Sequence, residues 1–569
     1  MLVRALLLPV FPIPAPRIHD EFSHLLVADT FAHGRLVNPV HPLWVHFDSM
    51  HILTRPVYAS IYPVAQGAIM AAAQVVMGNP WVGVWLSVGL MCAALCWMLQ
   101  GWVSTSWALL GGMLAAARFG VFSYWMNSYY GGAIAAVGGA LVLGALPRIY
   151  RGRRWQDAAP LGIGLVILAN SRPYEGAVFS APILVALLWM MRRKVPVRAV
   201  AVPLALILGT AGIAMGVYFA RFSGNPFLLP YQFFRTNFTV TPHFIWQSPR
   251  PEPVFYHQAT YQYYNVWERA GYENARANRP PQGVVDKAKS YLRFYLGVFL
   301  AIPLVAIPWL WKRRRTRFLI LSALFFSAGL AVEVWHAPHY AAPVMGLMLL
   351  LSVEGLRHLR QGPGGLWIVR AIGAGAVLLP VVHGGIYAGD GQKRATILKQ
   401  LEAAGGEHLV LVRYSLLHDQ GEEWVYNSAD IDRSRVVWAR EMDAGSNEKL
   451  LRYFAARRVW LLEPDVDPVR LSAYDPSTVP MCQFRFARLG TPAIAALHSP
   501  EVVRRKVLDR VARDYPPSQQ FNCYQWNSLF SQATGVAPPD NPKTCFPAGN
   551  AEQTIGFEEW FAWLLKQQT

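Results

Sequence analysis

Residues 192–222 read RRKVPVRAVAVPLALILGTAGIAMGVYFARF, and within them 199–220 runs without a single charge. A helix rises 1.5 Å per residue, so about 20 apolar residues cross the hydrocarbon core of a bilayer. The segment is predicted to span a membrane. Arg192, Arg193, Lys194 and Arg198 sit at one end, and short loops rich in Lys and Arg stay in the cytoplasm, which orients the span.

Similar stretches lie near 81–99, 105–123, 131–147, 158–171, 176–191, 291–311, 317–334, 340–356 and 366–388. The opening segment 1–13, MLVRALLLPVFPI, is apolar over about half a span. It has no small-residue cleavage site, so it reads as a truncated first helix, or the trace of a misassigned start codon, rather than a signal peptide. About eleven spans are expected. Basic clusters recur at Arg148/Arg151/Arg153/Arg154, at Lys312/Arg313/Arg314/Arg315/Arg317 and at Arg357/Arg360. With 192–198 they fall in every second loop, so all four support one topology. Loops 14–80, 124–130, 171–175, 221–290 and 335–339, and the tail from 389 onward, are then extracytoplasmic.

Composition agrees. The 569 residues are 53% hydrophobic and 15% charged, with mean hydropathy +0.24; a soluble chain carries about 25% charge. The 21 Trp and 24 Tyr suit membrane–water interfaces. The net charge of +18 lies in the loops between spans, where it orients the chain; no nucleic-acid partner is expected.

Two domains are expected: a multi-span membrane domain over 1–388 and a soluble extracytoplasmic domain over 389–569. In the tail, HLVLVRYS (408–415), RVVWARE (435–441) and VWLLEPD (459–465) read as strands, EKLLRYFAARR (448–458) has helical spacing, and a later helix covers 499–513. Strands alternating with a helix imply a small α/β module. No phosphate loop, nucleophile elbow or metal-spaced His/Cys cluster occurs in it, so packing or recognition is its expected role. Cys92 and Cys96 lie on one face of a span as small packing residues. Cys523 and Cys545 flank a Pro-rich stretch and could be bridged, with Cys482 as the odd third thiol.

The chemistry is expected in the first outer loop, HDEFSHLLVADTFAHGRLVNPVHPLWVHFDSMHIL (19–53), which holds six histidines, Asp20, Glu21, Asp29, Asp48 and Arg35. Residues 20–33 could form an interfacial helix ending at Gly34. On such a helix Asp20 and Glu21 point about 100° apart and cannot face each other as a dyad, whereas Asp20 and His24 share a face. The alternative is a solvated loop whose acids are polar surface.

An acidic pair directly after the first span, a long loop with an amphipathic stretch and then ten or so spans resembles the GT-C class of membrane glycosyltransferases. It is closest in pattern to the family 39 branch, related to protein O-mannosyltransferases and aminoarabinose transferases. DEFSHLLVADTFAHGRLVNP (20–39) is similar to bacterial members of that branch. The resemblance covers roughly 1–388 and does not account for the tail. Two departures stand out: the missing half of the first span, and Tyr62-Pro63-Val64-Ala65-Gln66 where relatives carry a basic residue before two prolines. Tyr62 and Gln66 remain as that loop's substrate-binding candidates.

The resemblance implies a sugar donor linked to a polyprenyl phosphate and an acceptor hydroxyl on a protein, lipid or glycan. A departing phosphate needs cations or hydrogen-bond donors rather than a proton, and the acceptor needs a carboxylate base. Asp20 matches the family's leading acid; Glu21 is the second catalytic candidate and His24 a substrate-binding one. Arg118, inside the second full span, is a suspect because charge in a span is costly, although it could snorkel. Arg172, in NSRPYEG (170–176), offers a forked cation or a partner for Glu175. His336 and His339, in EVWHAPHY (333–340), could bind phosphate or, with Glu333, a divalent metal, though without a defined zinc spacing. The aromatic loop 221–290 could stack on sugar or lie at the membrane interface. A polytopic transporter or flippase is the rival class; it calls for internal repeats and mid-membrane charges, and the ionisable residues here gather at one face.

The charge pattern makes a direct prediction. A reporter active only in the cytoplasm should be silent when fused after residue 569 and active when fused near Arg314; the reverse result would invert every proposed site.

Overall fold

The computed structural model describes residues 1–152, 154–193, 195–277, 282–383, 391–414, 418–419, 421–442, 444–476, 500–534 and 554–566. The chain is a mostly helical membrane protein with small sheets. Among the described residues, five helices are long and apolar enough to cross a bilayer: Pro80–Trp102, Ala133–Gly152, Pro173–Arg192, Val197–Ser223 and Pro338–Leu359. They match the stretches read near 81–99, 131–147, 176–191, 199–220 and 340–356. Helices Thr105–Phe119, Trp155–Ala169, Arg314–Ala331 and Gly365–His383 occupy four of the other expected spans but are shorter or carry charge.

Two expected spans take a different form. At the start of the chain, the helix covers only Leu2–Leu6, and Arg4 turns inward to bond Asn127 and the carbonyls of Phe11 and Pro12. The stretch 291–311 is not one straight helix: Gly283–Tyr295 and Gly297–Leu310 meet at 113°. Gly297 has φ +62°, and a Cβ there would stand 2.8 Å from the Arg118 guanidinium. A left-handed residue ends a helix, and only glycine adopts that conformation without cost. Arg118 then donates to the carbonyls of Phe294 (2.8 Å) and Arg293 (2.5 Å) that the break leaves open. A helix over Ala65–Met77 lies within the expected outer loop; it packs on His19–Ala32 where Gly67 admits Val27, whose Cγ1 would be 2.3 Å from an added Cβ.

Three of the basic clusters meet at one end of the bundle. Arg151 and Arg315 both donate to the carbonyl of Gly101, Arg148 donates to that of Trp97, and Arg315 and Arg360 lie over the rings of Trp102 and Trp107. Their convergence on the turn between two helices is what alternate-loop placement requires.

The tail holds the expected α/β module. Strands His408–Val412 and Val436–Arg440 pair in parallel, as do His408–Val412 and Arg458–Glu463; Arg470–Ala473 adds an antiparallel edge. Strand His408–Val412 and its edge neighbour Val436–Arg440 are buried along their whole length and read as largely apolar runs, as strands covered on both faces do. Their alternation sorts the sides. Val410, Val412, Val436 and Trp438 pack with Ile397 and Leu401 of helix Gln392–Ala403. Leu409, Leu411, Val437 and Ala439 pack with Leu450 and Phe454, and also with Leu26, Phe47, Ile52 and Tyr58 of the first outer loop. The helix read over 448–458 begins earlier, at Ala444, and ends at Tyr453; the later one spans Pro500–Asp514. Cys482, Cys545 and the side chain of Cys523 lie outside the described residues.

Candidate active site

Helix His19–Ala32 opens with Asp20 and Glu21 in its first turn, where carboxylates favour the helix dipole and can satisfy free N–H groups. The two acids divide these tasks. Glu21 Oε2 accepts from the backbone N–H of Arg17 (2.8 Å) and Ile18 (3.3 Å), and its Oε1 accepts from that of Tyr129 (3.2 Å). It caps the helix and ties it to the 124–130 loop. Burial pushes its carboxyl up to about 7, against the pull of those three N–H groups.

Asp20 points the other way, as helical geometry requires. Its Oδ1 meets His51 Nδ1 at 2.8 Å, His19 Nδ1 at 3.2 Å and the Tyr62 hydroxyl, which donates to it. Tyr62 also lies 2.9 Å from His51 Nδ1. Burial alone would raise Asp20, but the charge of His19 and the hydrogen bonds from both histidines hold its carboxyl well below the ordinary value. Its side chain keeps 22% exposure, against 9% for His19 and His51, so the charge can be reached from outside. Burial pulls His51 down to about 4, with His19's charge adding to the effect, and pulls His24 to about 4 against the attraction of Asp20. Both imidazoles are neutral at neutral pH. Burial beside Asp20 keeps Tyr62 protonated and therefore a donor.

His51 is presented by strained backbone. Its φ of +60° is rare for a residue with a Cβ and costs on the order of 1–3 kcal/mol unless neighbours over-determine it. They do: its N–H donates to the Tyr264 hydroxyl (2.9 Å), and its carbonyl accepts from Ser23 Oγ (2.6 Å) and from the Ile61 N–H (3.3 Å). Tyr263 sets its ring edge-on to His19 and His51, with centroids at 4.8 and 5.4 Å.

Among the other expected residues, His24 stacks on Tyr62 (4.9 Å, 14°), and its buried Nδ1 has no hydrogen-bond partner among the described residues. Gln66 is buried with Oε1 likewise unpartnered. Arg172 pairs with Glu175 at 3.7 Å and lies 4.4 Å from the centre of the Tyr340 ring; its charge acts on His24 and His339. His339 is buried, with Nδ1 3.0 Å from the Tyr124 hydroxyl. Asp20, His24, Tyr62, Arg172 and His339 thus gather around one site. His336 stands apart, exposed and facing Lys287 and Asp286, and Arg118 is engaged at the helix break described above. Sequence reading did not single out His19, His51, Tyr263 or Tyr340. His19 adjoins Asp20; the others carried no local signal, since backbone far along the chain brings them in.

His19, Asp20 and His51 also form a metal-competent group, with ligand atoms all within 4.8 Å of one another. Two imidazole nitrogens and a carboxylate oxygen suit a divalent ion such as zinc.

With the site assembled, the chain can be set beside known structures. It is similar to ArnT from Cupriavidus metallidurans in its apo state (TM-score 0.47, 10% identity, 81% of this chain and 91% of that one). The same protein bound to undecaprenyl phosphate gives 0.48, 12%, 81% and 92%. The oligosaccharyltransferase of Archaeoglobus fulgidus, in complex with Zn and sulfate, gives 0.45, 11%, 81% and 67%. No protein-family profile matches the chain, and no curated sequence does.

Glu21 generates a test of its own. Glutamine offers one carbonyl oxygen where two carboxylate oxygens now accept, so Glu21→Gln turns an amide N–H₂ on a backbone N–H; a loss of about 1–3 kcal/mol in stability is expected. Because the folded carboxyl sits near 7 rather than 4.5, its contribution is fully present below pH 4.5 and is lost as pH rises through 7. Thermal unfolding against pH should show that decline in the wild type and not in Glu21→Gln. Identical curves would mean that Glu21 is not buried as described.

Proposed function

We propose that this chain is a membrane glycosyltransferase. It moves a sugar from a polyprenyl-phosphate donor to the hydroxyl of an extracytoplasmic acceptor, which is a protein, a lipid or a glycan. It works as a multi-pass protein of the inner membrane, with the C-terminal domain outside the cytoplasm. One observation carries the reading: a reachable carboxylate, Asp20, on which His19, His51 and Tyr62 converge, with the charge of Arg172 felt by its neighbours His24 and Tyr62.

The acceptor hydroxyl approaches Asp20 while the donor phosphate lies toward Arg172. As the acceptor oxygen bonds the anomeric carbon, the bond from that carbon to phosphate oxygen breaks and its electron pair leaves with the phosphate. The acceptor proton passes to Asp20 and then to solvent. A strongly acidic carboxylate suits this order, because the hydroxyl proton becomes labile only once the new bond is forming, and a base that remains ionised is always ready. Arginine's planar fork matches the growing phosphate charge. His19, Asp20 and His51 would hold a divalent ion, which would add positive charge to the site.

Asp20→Asn keeps the shape and removes the base. With purified protein and a panel of polyprenyl-phosphate sugars, turnover should fall about 10²–10⁴-fold while binding of undecaprenyl phosphate persists. Turnover equal to wild type would end the mechanism. Arg172→Lys keeps charge and loses the fork, so it should raise KM for the donor more than it lowers kcat; unchanged kinetics would remove Arg172 from the site.

A further inference from the structure

The tail touches both arms of the site through one residue. The backbone N–H of Glu423 donates to the carbonyl of Arg17 at 3.0 Å, three residues before Asp20. Its Oε2 accepts from Ser49 Oγ at 2.8 Å, two residues before His51. Arg440, which ends strand Val436–Arg440, donates to the same Oε2 at 3.0 Å and to the carbonyl of Asp48 at 2.5 Å. The opposite oxygen, Oε1, is filled by the Tyr414 hydroxyl (2.6 Å) and the N–H groups of Trp424 (3.0 Å) and Val425 (2.9 Å). The side chains of Glu423 and Arg440 are 0% and 3% exposed.

A buried carboxylate whose two oxygens accept five hydrogen bonds has no freedom to turn. This one bonds the chain just ahead of a residue forced into the left-handed region, where small displacements swing the imidazole. The Glu423 backbone also bonds the chain just ahead of the helix that aims Asp20. Around it, the apolar face of the sheet shares a core with Leu26, Phe47 and Ile52, so loop and sheet move as one.

We infer that the C-terminal sheet positions the active site and that Glu423, with Arg440, are the positioning residues that set the Asp20–His51 geometry. This rests on Asp20 as the base. A pair that only stabilised the tail would have no need to bond Asp48 and Ser49.

Two variants of the full-length protein test it: Glu423→Gln, and the gentler Ser49→Ala, which leaves no buried charge unpaired. Misplacing a catalytic group by about an ångström costs on the order of 10²-fold. Glu423→Gln should therefore lower kcat about ten- to hundredfold, and Ser49→Ala less, with KM for the lipid-linked sugar unchanged. Neither should lower kcat further in a His51→Ala background, because residues acting through one another do not add. Hydrogen exchange supplies a readout independent of turnover. The Ile61 amide, bonded to the His51 carbonyl, should exchange faster in both variants while amides 408–412 stay protected. Should Glu423→Gln fail to fold, Ser49→Ala carries the same comparison. Native exchange across 46–62 in a folded variant, or a kcat loss that multiplies with His51→Ala, overturns the positioning role. A wild-type protein that transfers no sugar overturns the glycosyltransferase reading alone, and exchange then decides positioning.

Discussion

A mostly buried, ionised carboxylate at one end of a helical bundle is the constraint on which the rest of this structure depends. Removing a carboxylate from water costs several kcal/mol unless hydrogen bonds and opposite charge replace the water. Asp20 obtains its replacements from His19 beside it, from His51 and from Tyr62. None of these is supplied by a membrane span. The first outer loop has to leave the helix that carries Asp20 and fold back over it, and the left-handed turn at His51 is where that return is made.

A loop folded in this way is too irregular to hold itself. Its short ladder pairs only Ile52–Leu53 with Ala59–Ser60, and an isolated pair of such strands is not stable in water. The tail sheet provides what is missing. Because successive residues of a strand face opposite sides, one face of the sheet is covered by helix Gln392–Ala403 and the other accepts Leu26, Phe47, Ile52 and Tyr58. Polar ties reinforce the packing: Tyr58 to the carbonyl of Asn427, the Ala429 N–H to Asp29, His46 to the carbonyl of Arg440. A face of the sheet that would otherwise need a second layer of helices is covered by the loop that holds the chemistry.

How much of this could be read from sequence follows from range. Apolar length and the alternation of basic loops are local, and they gave the helical membrane class and the convergence of Arg148, Arg151, Arg315 and Arg360. Strands 408–412 and 436–440 were legible because parallel strands buried on both faces are continuous apolar runs. Asp20 was legible from its place after the first apolar segment, and the divergence of Glu21 from the 100° between neighbours on a helix. The break at Gly297 was written in a glycine followed by Pro303 and Pro308, but hydropathy averages over such residues and reads through them. Arg118 shows the same limit: a charge in a span signals a partner, and here the partner is a pair of carbonyls freed by that break. His51 was one of six histidines in its loop, and nothing adjacent to it in sequence announces φ +60°.

The balance of charge at the site follows from the same constraint. Burial keeps His24 and His51 neutral and Tyr62 protonated, so these groups act on Asp20 as dipoles and donors and add little net charge. Arg172 is moderated by Glu175 in the next helical turn. Under the proposed reaction the site must not repel the donor phosphate, nor hold the released one with unopposed cations. One carboxylate stabilised by the charge of His19 and by hydrogen bonds, and one arginine shared with a glutamate, satisfy both demands.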